Sequence, residues 1–206
     1  MAKDKKTSDK TTPAKKSAGK KPAGVEPVPG AAEKFPIVGL GASAGGLEAL
    51  KAFFSEVGET SGMAYVVVVH MAPDQPSMMA ELLGKAARIP VAAAQDGQAI
   101  RPDRAYIIPP DAELAIFKGK IQLMTPAAKR PFLPIDLFLR SLAQDQGRRA
   151  AAVILSGTGT DGTLGAKEIK AGEGLVLAQS EDSAGYDGMP RSVIGAGVVD
   201  RVLPPG

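Results

Sequence analysis

The sequence contains no cysteine, no tryptophan and a single histidine. Without cysteine there can be no disulfide bond, thiolate metal site or cysteine nucleophile, so any covalent catalysis must use another atom. One histidine and scattered carboxylates provide neither an EF-hand nor a two-metal spacing. We therefore expect no metal and no cofactor.

Long apolar runs are also missing. The longest apolar stretch, Met63–Val69, is far shorter than the roughly 18 residues that suggest a membrane-spanning helix. Lysines occupy the N-terminal positions where a signal peptide would be apolar. We expect a cytoplasmic protein that does not insert into membranes.

Positive charge is concentrated at the start of the chain. Residues 1–24 hold eight lysines and two aspartates, a net +6, although the whole chain carries only +3. The remainder is thus net negative and has no basic stripe interleaved with aromatics, so we expect no nucleic-acid partner. Residues 1–34 have almost no large apolar side chains, which predicts a disordered Lys/Ala/Pro-rich tail before a folded domain at residues 35–206.

From residue 35 onward, short β-rich runs alternate with helical ones, a pattern typical of a mostly parallel sheet covered by helices. Strands are predicted at 37–40, 63–69, 105–108, 114–117, 121–124, 151–155 and 175–178. Helices are predicted at 47–56, 77–87 with Ser77 as N-cap, 135–147, 163–171 and late in the chain near Arg191. The predicted fold is α/β: a doubly wound, three-layer, mostly parallel sheet with helices on both faces and one antiparallel hairpin.

A small-residue turn, Gly41-Ala-Ser-Ala-Gly45, directly follows the first predicted strand and opens the first helix. It fits the G-x-S-x-G turn that presents a serine above a sheet and requires small neighbours. The N–H of Ala44 and the helix N-terminus would face a developing oxyanion. Ser43 is therefore the candidate nucleophile.

A serine hydroxyl needs a base to remove its proton, and histidine suits that task near neutral pH. The one histidine, His70, follows the second predicted strand. Because the carboxyl ends of parallel strands share one edge of a sheet, His70 can lie beside Ser43. A lone histidine is more often an ordinary surface or core residue, but this placement favours a general base.

A glycine-rich loop, Ser156–Gly162, follows another predicted strand at the same edge. It brings Asp161 toward the histidine, where a carboxylate would fix the imidazole tautomer and stabilise the imidazolium. A plain Asp-Gly turn is the alternative interpretation of this loop. The order Ser, His, acid along the chain differs from the Ser, acid, His order of ordinary α/β-hydrolases.

Five short segments follow one another in order over the region from about Phe35 to Pro205. They are Ile37–Gly46, Val69–Met71, Tyr106–Pro110, Leu155–Gly162 and Gly188–Arg191. Together they resemble the catalytic domain of the CheB family, the chemotaxis protein-glutamate methylesterases. Because they cover the whole folded region, the resemblance is far more specific than any single motif.

By this resemblance, Ser43, His70 and Asp161 correspond to the family's catalytic triad. The implied reaction is hydrolysis of glutamate γ-methyl esters on chemoreceptor helices, which releases methanol, with glutamine deamidation as a second activity. The residues assigned to the oxyanion site and its lining are Ala44, Thr158, Met189 and Arg191. For Arg191, orientation of an acidic substrate surface and simple solvation at a helix terminus are both open.

The sequence departs from the regulatory methylesterases in two respects. Those relatives carry a receiver domain upstream, whereas here a Lys-rich tail precedes the fold, so we expect no control by aspartyl phosphorylation within this chain. Ala44, where many relatives have Thr, and the ending Val202–Pro205 are closer to methylesterase modules fused to methyltransferase and sensor domains. The expected partners are a methylated chemoreceptor or receptor-like helical protein and a methyltransferase or sensor module.

Two other functions compete with catalysis. Gly39–Ala44 also fits the G-x-G-x-x-G/A pattern of a nucleotide-binding turn. Such a site has an acidic residue at the end of the second strand to bind the ribose, whereas this sequence has His70 there. The loop Gly157–Gly162 could cradle a phosphate, although Asp161 would place negative charge against an anion. A docking domain that keeps the fold without catalysis is the second alternative.

Overall fold

The structure, a computed structural model, describes residues 34–70, 76–126 and 132–206. Lys34–Gly206 forms one unit. The predicted tail at residues 1–34 lies outside the described residues except for Lys34 itself, so its disorder stays a prediction.

The described chain contains nine strands and five α-helices. The strands are β1 (Ile37–Ala42), β2 (Ala64–Val69), β3 (Val91–Ala93), β4 (Arg104–Ile107), β5 (Glu113–Phe117), β6 (Lys120–Met124), β7 (Ala150–Ile154), β8 (Leu175–Gln179) and β9 (Arg201–Leu203). The α-helices are α1 (Gly46–Glu56), α2 (Pro76–Ala86), α3 (Pro134–Gln146), α4 (Thr163–Ala171) and α5 (Gly188–Gly195). Single 3₁₀ turns lie at Gly147–Arg149 and Glu181–Ser183.

Seven of the strands form one parallel sheet in the order β3-β4-β2-β1-β7-β8-β9. The other two, β5 and β6, pair antiparallel as a separate hairpin. Helix α3 covers the sheet face on which Gly39 lies, and α1 lies on the face of Val38. The predicted α/β class, with a parallel sheet between helices and one antiparallel hairpin, is confirmed.

The strand order reverses direction at β1. After β1 the chain adds β2, β3 and β4 on one side, with β4 next to β2 and β3 at the edge. It then adds β7, β8 and β9 on the other side of β1. In doubly wound sheets, the loops that leave the strands beside such a switch point diverge and open a crevice at the carboxyl edge. The carboxyl ends of β1 and β7 are therefore the place where this fold class forms its functional sites.

The glycines of β1 allow α3 to lie directly against the sheet. A Cβ on Gly39 would stand 2.6 Å from the ring of Phe138, and one on Gly41 would stand 2.5 Å from Cγ2 of Ile135. Both distances are far below van der Waals contact, so a side chain at either position would force α3 to shift away from the sheet or its side chains to move. Close helix packing thus explains the G-x-G pattern, without any phosphate.

The sequence prediction missed two edge strands and placed three helix starts, those of α1, α2 and α3, one residue late. β3 and β9 have three residues each, which are half-buried or exposed, so they carry no pattern of alternating apolar residues. Helix α2 begins at Pro76, one residue before the predicted N-cap Ser77, whose side chain lies outside what the structure describes. Proline suits the first helical position, where its missing N–H would have no intrahelical partner.

Within residues 34–70, 76–126 and 132–206, no helix combines the length and the apolar character needed to cross a membrane.

Replacement of Gly41 by Ala tests the close packing of α3 on β1. The added methyl would overlap the fully buried Ile135. We expect Gly41→Ala to lower the free energy of unfolding by about 1–3 kcal/mol. Gly58→Ala is the matched control, because nothing lies within 4 Å of its Cβ position. In urea titrations this control should stay within about 0.5 kcal/mol of the parent, and equal losses for both variants would contradict the packing argument.

Candidate active site

Ser43 is the first residue after β1, in the tight turn that leads into α1. Its N–H donates to the carbonyl oxygen of Ser156 at 2.9 Å, and its own carbonyl accepts the N–H of Gly46 at 2.9 Å. The turn is closed by Gly45, whose φ of 71° lies in the left-handed region that glycine tolerates. Ser43 is half-buried at the carboxyl edge of the sheet, as the sequence predicted.

His70 lies beside this turn because the two strands are in register. Ala42 and Val69 are paired residues at the ends of β1 and β2, and the N–H of His70 donates to the carbonyl of Ala42 at 3.3 Å. Ser43 and His70 are therefore the next residues of two adjacent parallel strands. The histidine side chain is 31% exposed, so its ring can be reached from solvent.

Asp161 joins the group from the loop after β7. Its Oδ2 lies 2.8 Å from Nε2 of His70, and its side chain is 2% exposed. Backbone N–H groups of Ile135, Asp136 and Gly162 donate to the same carboxylate at 3.0, 2.8 and 2.9 Å. Two of these donors belong to the first turn of α3, where N–H groups and the helix dipole favour a negative charge.

The hydrogen bond to Asp161 uses Nε2 of His70, so Nδ1 is the ring nitrogen that remains for another partner. Among the described residues, Nδ1 of His70 and the hydroxyl of Ser43 have no hydrogen-bond partner. Catalytic hydrogen bonds are often long before substrate binds. Nδ1 is thus the nitrogen available to accept the proton of the serine.

Three backbone N–H groups in the two loops that meet at Ser43 also lack an acceptor among the described residues. Within the part of the chain that the structure describes, the N–H groups of Ala44, Gly45 and Thr158 donate to no protein acceptor. Gly45 and Thr158 are exposed and Ala44 is half-buried. Such donors, next to a nucleophile and at a helix N-terminus, suit the stabilisation of an oxyanion.

Met189 packs against the glycine-rich loop Ser156–Gly162. It is fully buried, and its N–H donates to the carbonyl of Gly157 at 2.9 Å. A Cβ on Gly157 would stand 2.3 Å from the Met189 sulfur and 2.9 Å from Cβ of Ser43. The methionine therefore packs against the loop that contacts the serine, and its assignment to the site lining stays a prediction.

Arg191 is exposed in α5 and already has acidic partners. Its Nε and Nη2 donate to Oε2 of Glu181 at 3.1 and 3.0 Å, and Nη2 also donates to Asp187. An acidic substrate would have to compete with these two carboxylates. The sequence prediction that Arg191 orients such a substrate stays a prediction.

Sequence reasoning missed three contributors to the site. Ser156 supports the nucleophile turn, the first turn of α3 holds Asp161, and the ring of Phe132 lies 6.2 Å from the His70 ring, centroid to centroid. Pro134 was an available signal for the start of α3, because proline is favoured at the first helical position. The contacts themselves join residues far apart in the chain.

A second buried carboxyl lies next to Asp161. Asp136 is 5% exposed, and its Oδ1 accepts the N–H of Gly165 at 2.7 Å. Burial raises the pKa of Asp136 above the usual value, the negative charge of Asp161 raises it further, and the Gly165 N–H and Arg140 oppose the rise. Asp136 thus links α3 to α4 at an electrostatic cost.

The fold and the site together define an α/β protein with a serine, a histidine and a buried aspartate at the switch point of a parallel sheet. The model of the CheB methylesterase family matches residues 38–206, and the chain belongs to this family. The resemblance expected from the sequence is confirmed.

Several known proteins are similar to this chain. One is a protein named protein-glutamate methylesterase/protein-glutamine glutaminase from Yersinia pestis, 37% identical over 172 residues, which are 81% of this chain and 49% of the relative. Another is an uncharacterized 104.1 kDa protein of Rhodobacter capsulatus, 40% identical over 61% of this chain and 13% of that protein. The chain spans about half the length of the curated methylesterase relatives it matches.

A solved structure shares the fold. The crystal structure of the Thermotoga maritima CheB methylesterase catalytic domain superposes with a TM-score of 0.79 at 32% sequence identity. The match covers 83% of this chain and 93% of the solved chain.

The environment of Asp136 generates a pH-dependent prediction. The native carboxyl binds a proton more readily than the unfolded one, so this group makes the free energy of unfolding fall as pH rises from about 4 through the native pKa. Asp136→Asn removes this contribution. We expect the stability of Asp136→Asn relative to the parent to rise over that interval in urea titrations at stepped pH.

Asp200→Asn is the matched contrast. A hydrogen bond from Lys170, followed by one from the N–H of Val176, lowers the pKa of Asp200. The parent therefore gains stability from Asp200 above its unfolded pKa and loses it as pH falls through the native pKa. Asp200→Asn should lose stability relative to the parent as pH rises through that lower window. The same sign of slope for both variants would contradict these assignments.

Proposed function

We propose that this chain hydrolyses glutamate γ-methyl esters on a chemoreceptor-type protein, using Ser43, His70 and Asp161 as a catalytic triad. The observation that carries the proposal is the 2.8 Å hydrogen bond between His70 and the buried Asp161. His70 follows β2, which pairs with β1, the strand that Ser43 follows. The names of the relatives support the same chemistry, because they are called protein-glutamate methylesterases.

In the first half of the reaction, Nδ1 of His70 accepts the hydroxyl proton of Ser43. The serine Oγ then bonds to the ester carbonyl carbon, and the carbonyl π electrons move onto oxygen as an oxyanion. When this tetrahedral species collapses, the C–O bond to the methoxy group breaks, and the methoxy oxygen takes the proton from His70 to leave as methanol. Asp161 stabilises the imidazolium that exists between these transfers.

In the second half, water replaces methanol. His70 removes a proton from water, and the resulting hydroxide attacks the acyl carbon attached to Ser43. The acyl-oxygen bond to the serine breaks, its Oγ recovers the proton from His70, and the glutamate side chain is released. We assign the stabilisation of both oxyanions to the N–H groups of Ala44, Gly45 and Thr158, which belong to the two loops that meet at the serine and have no acceptor among the described residues.

The exposure of the site agrees with a substrate presented on a protein surface. Gly45 and Thr158 are exposed, the His70 side chain is 31% exposed, and Ser43 is half-buried. Two surface cavities, of about 420 and 620 Å³, are lined by other residues. A shallow site suits an ester that projects from a helix better than a small free metabolite, which requires enclosure.

Glutamine deamidation is a second candidate activity of the same site. The relatives' names include protein-glutamine glutaminase, and the chemistry differs only in the leaving group. Ammonia leaves in place of methanol, with its proton supplied by His70. The acyl-enzyme and its hydrolysis are the same in both reactions.

The proposal also covers the domain bounds, the partners and the cellular location of the enzyme. Residues 35–206 form the methylesterase catalytic domain, and residues 1–34 form a tail that catalysis does not need. The partners are a methylated receptor-like helical protein and a methyltransferase or sensor module, all in the cytoplasm. A docking domain without catalysis is the alternative that the following experiment separates.

Ser43→Ala and Asp161→Asn test the triad as one unit. Release of methanol from a methylated receptor fragment should fall by ~10⁴ to 10⁶ in Ser43→Ala and by up to ~10⁴ in Asp161→Asn, which favours the wrong tautomer. The double variant should be little worse than Ser43→Ala, since Asp161 acts only through the nucleophile. Binding of the fragment should change by less than about 1 kcal/mol in Ser43→Ala.

Two controls accompany this cycle. Ser55→Ala removes a serine hydroxyl from α1 whose one partner among the described residues is the carbonyl of Ala52, and its turnover should match the parent. Because Asp161 also holds the first turn of α3, thermal unfolding of Asp161→Asn must show that the variant is folded at the assay temperature. Additive losses, or release of methanol by Ser43→Ala at the parent rate, would favour the docking domain.

A further inference from the structure

Ser156 is fully buried beneath the nucleophile turn, and its hydroxyl is shared between two loops. The Oγ accepts the N–H of Tyr186 at 3.0 Å. Two carbonyl oxygens lie within reach of its one proton, that of Ala44 at 2.8 Å and that of Tyr186 at 3.3 Å, and the shorter distance favours donation to Ala44. The carbonyl of the same residue accepts the N–H of Ser43 at 2.9 Å. One residue therefore holds the turn at two of its peptide groups, Ala42–Ser43 and Ala44–Gly45.

The hydrogen bond from Ser156 to the Ala44 carbonyl also determines where the N–H of Gly45 points. In a trans peptide, the C=O of one residue and the N–H of the next point in opposite directions. Ser156 draws the carbonyl of Ala44 inward, so the N–H of Gly45 must point away from it. Gly45 is exposed, and this N–H has no acceptor among the residues that the structure describes.

Nothing in the backbone itself fixes this orientation. Rotation of the Ala44–Gly45 peptide changes ψ of Ala44 and φ of Gly45, and glycine adopts either sign of φ at little cost. Gly45 has φ 71° and ψ 0° in the structure. The Ser156 hydroxyl is the group that bonds to the Ala44 carbonyl and opposes the rotation.

We propose that Ser156 is a positioning residue for catalysis: its hydroxyl locks the Ala44–Gly45 peptide so that the Gly45 N–H stays available to the oxyanion formed on the substrate of Ser43. This inference rests on the proposed function. Without the hydroxyl, the Ala44 carbonyl would have no partner in the described part of the chain, and the peptide could rotate its oxygen toward the developing negative charge. Preorganised N–H donors contribute mainly in the transition state.

The main chain of Ser156 is held independently of its side chain. Its N–H donates to Oε1 of Gln179 at 2.8 Å, and Nε2 of Gln179 donates to the carbonyl of Ser183 at 2.9 Å. Gln179 is itself buried in β8. Replacement of Ser156 by Ala therefore removes the hydroxyl while these backbone hydrogen bonds keep the loop in place.

Steady-state kinetics of methanol release from a methylated receptor fragment test the assignment. For Ser156→Ala we expect kcat to fall ~10- to 100-fold, somewhat less than deletion of an oxyanion donor, with KM within about threefold of the parent. Ser141→Ala is the matched control. Its hydroxyl also bonds to two backbone groups, the carbonyl of Phe138 at 2.7 Å and the N–H of Ile116 at 2.9 Å, away from Ser43. Its kcat should stay within about twofold of the parent.

Ser43→Ala, measured in parallel, separates failure of this inference from failure of the proposed function. If Ser43→Ala is inactive while Ser156→Ala keeps kcat within threefold of the parent, changes KM alone, or loses no more than Ser141→Ala, the role of Ser156 is overturned and the proposed function stands. If Ser43→Ala still releases methanol, both fail. Should Ser156→Ala not fold, Ser156→Cys, a similar shape with a weaker donor, must show the reduced kcat, and a parent-like kcat overturns the role.

Discussion

The carboxylate of Asp161 at the N-terminus of α3 is the interaction on which the site depends. It accepts two N–H groups from the first turn of that helix, one from Gly162, and contacts the imidazole of His70. A buried carboxylate without such donors would be very costly. The helix therefore stabilises the charge that the histidine needs, and it must lie close to the sheet to do so.

That closeness is set by the strand beneath α3. Gly39 and Gly41 have no side chains, which lets Phe138 and Ile135 lie directly on β1. Ile135 supplies one of the N–H groups that bind Asp161. Small residues in the first strand thus determine the position of the helix, and the helix determines the position of the acid. The same strand ends in the turn that presents Ser43, so one element positions both the nucleophile and the partner of its base.

Much of the architecture could be predicted from local sequence. Buried strands such as β2 are continuous apolar runs, and α4 was predicted with its observed bounds because periodicity and flanking glycines agree. The short edge strands β3 and β9 could not be predicted, since exposed three-residue strands take their structure from pairing with a neighbour. The start of α2 was predicted one residue late, because Pro76 already lies in the helix.

The sequence by itself determined which chemical groups are present: one serine in a G-x-S-x-G turn, one histidine after a strand, one aspartate in a glycine loop, and no thiol. Strand ends and loop composition are local properties, so their placement at one edge of a parallel sheet could be inferred. Only the tertiary structure decided which ring nitrogen faces Asp161, that α3 holds the carboxylate, and that Ser156 bonds to Ala44. Those contacts join residues from 25 to more than 100 positions apart, and they depend on packing distances that no local pattern encodes.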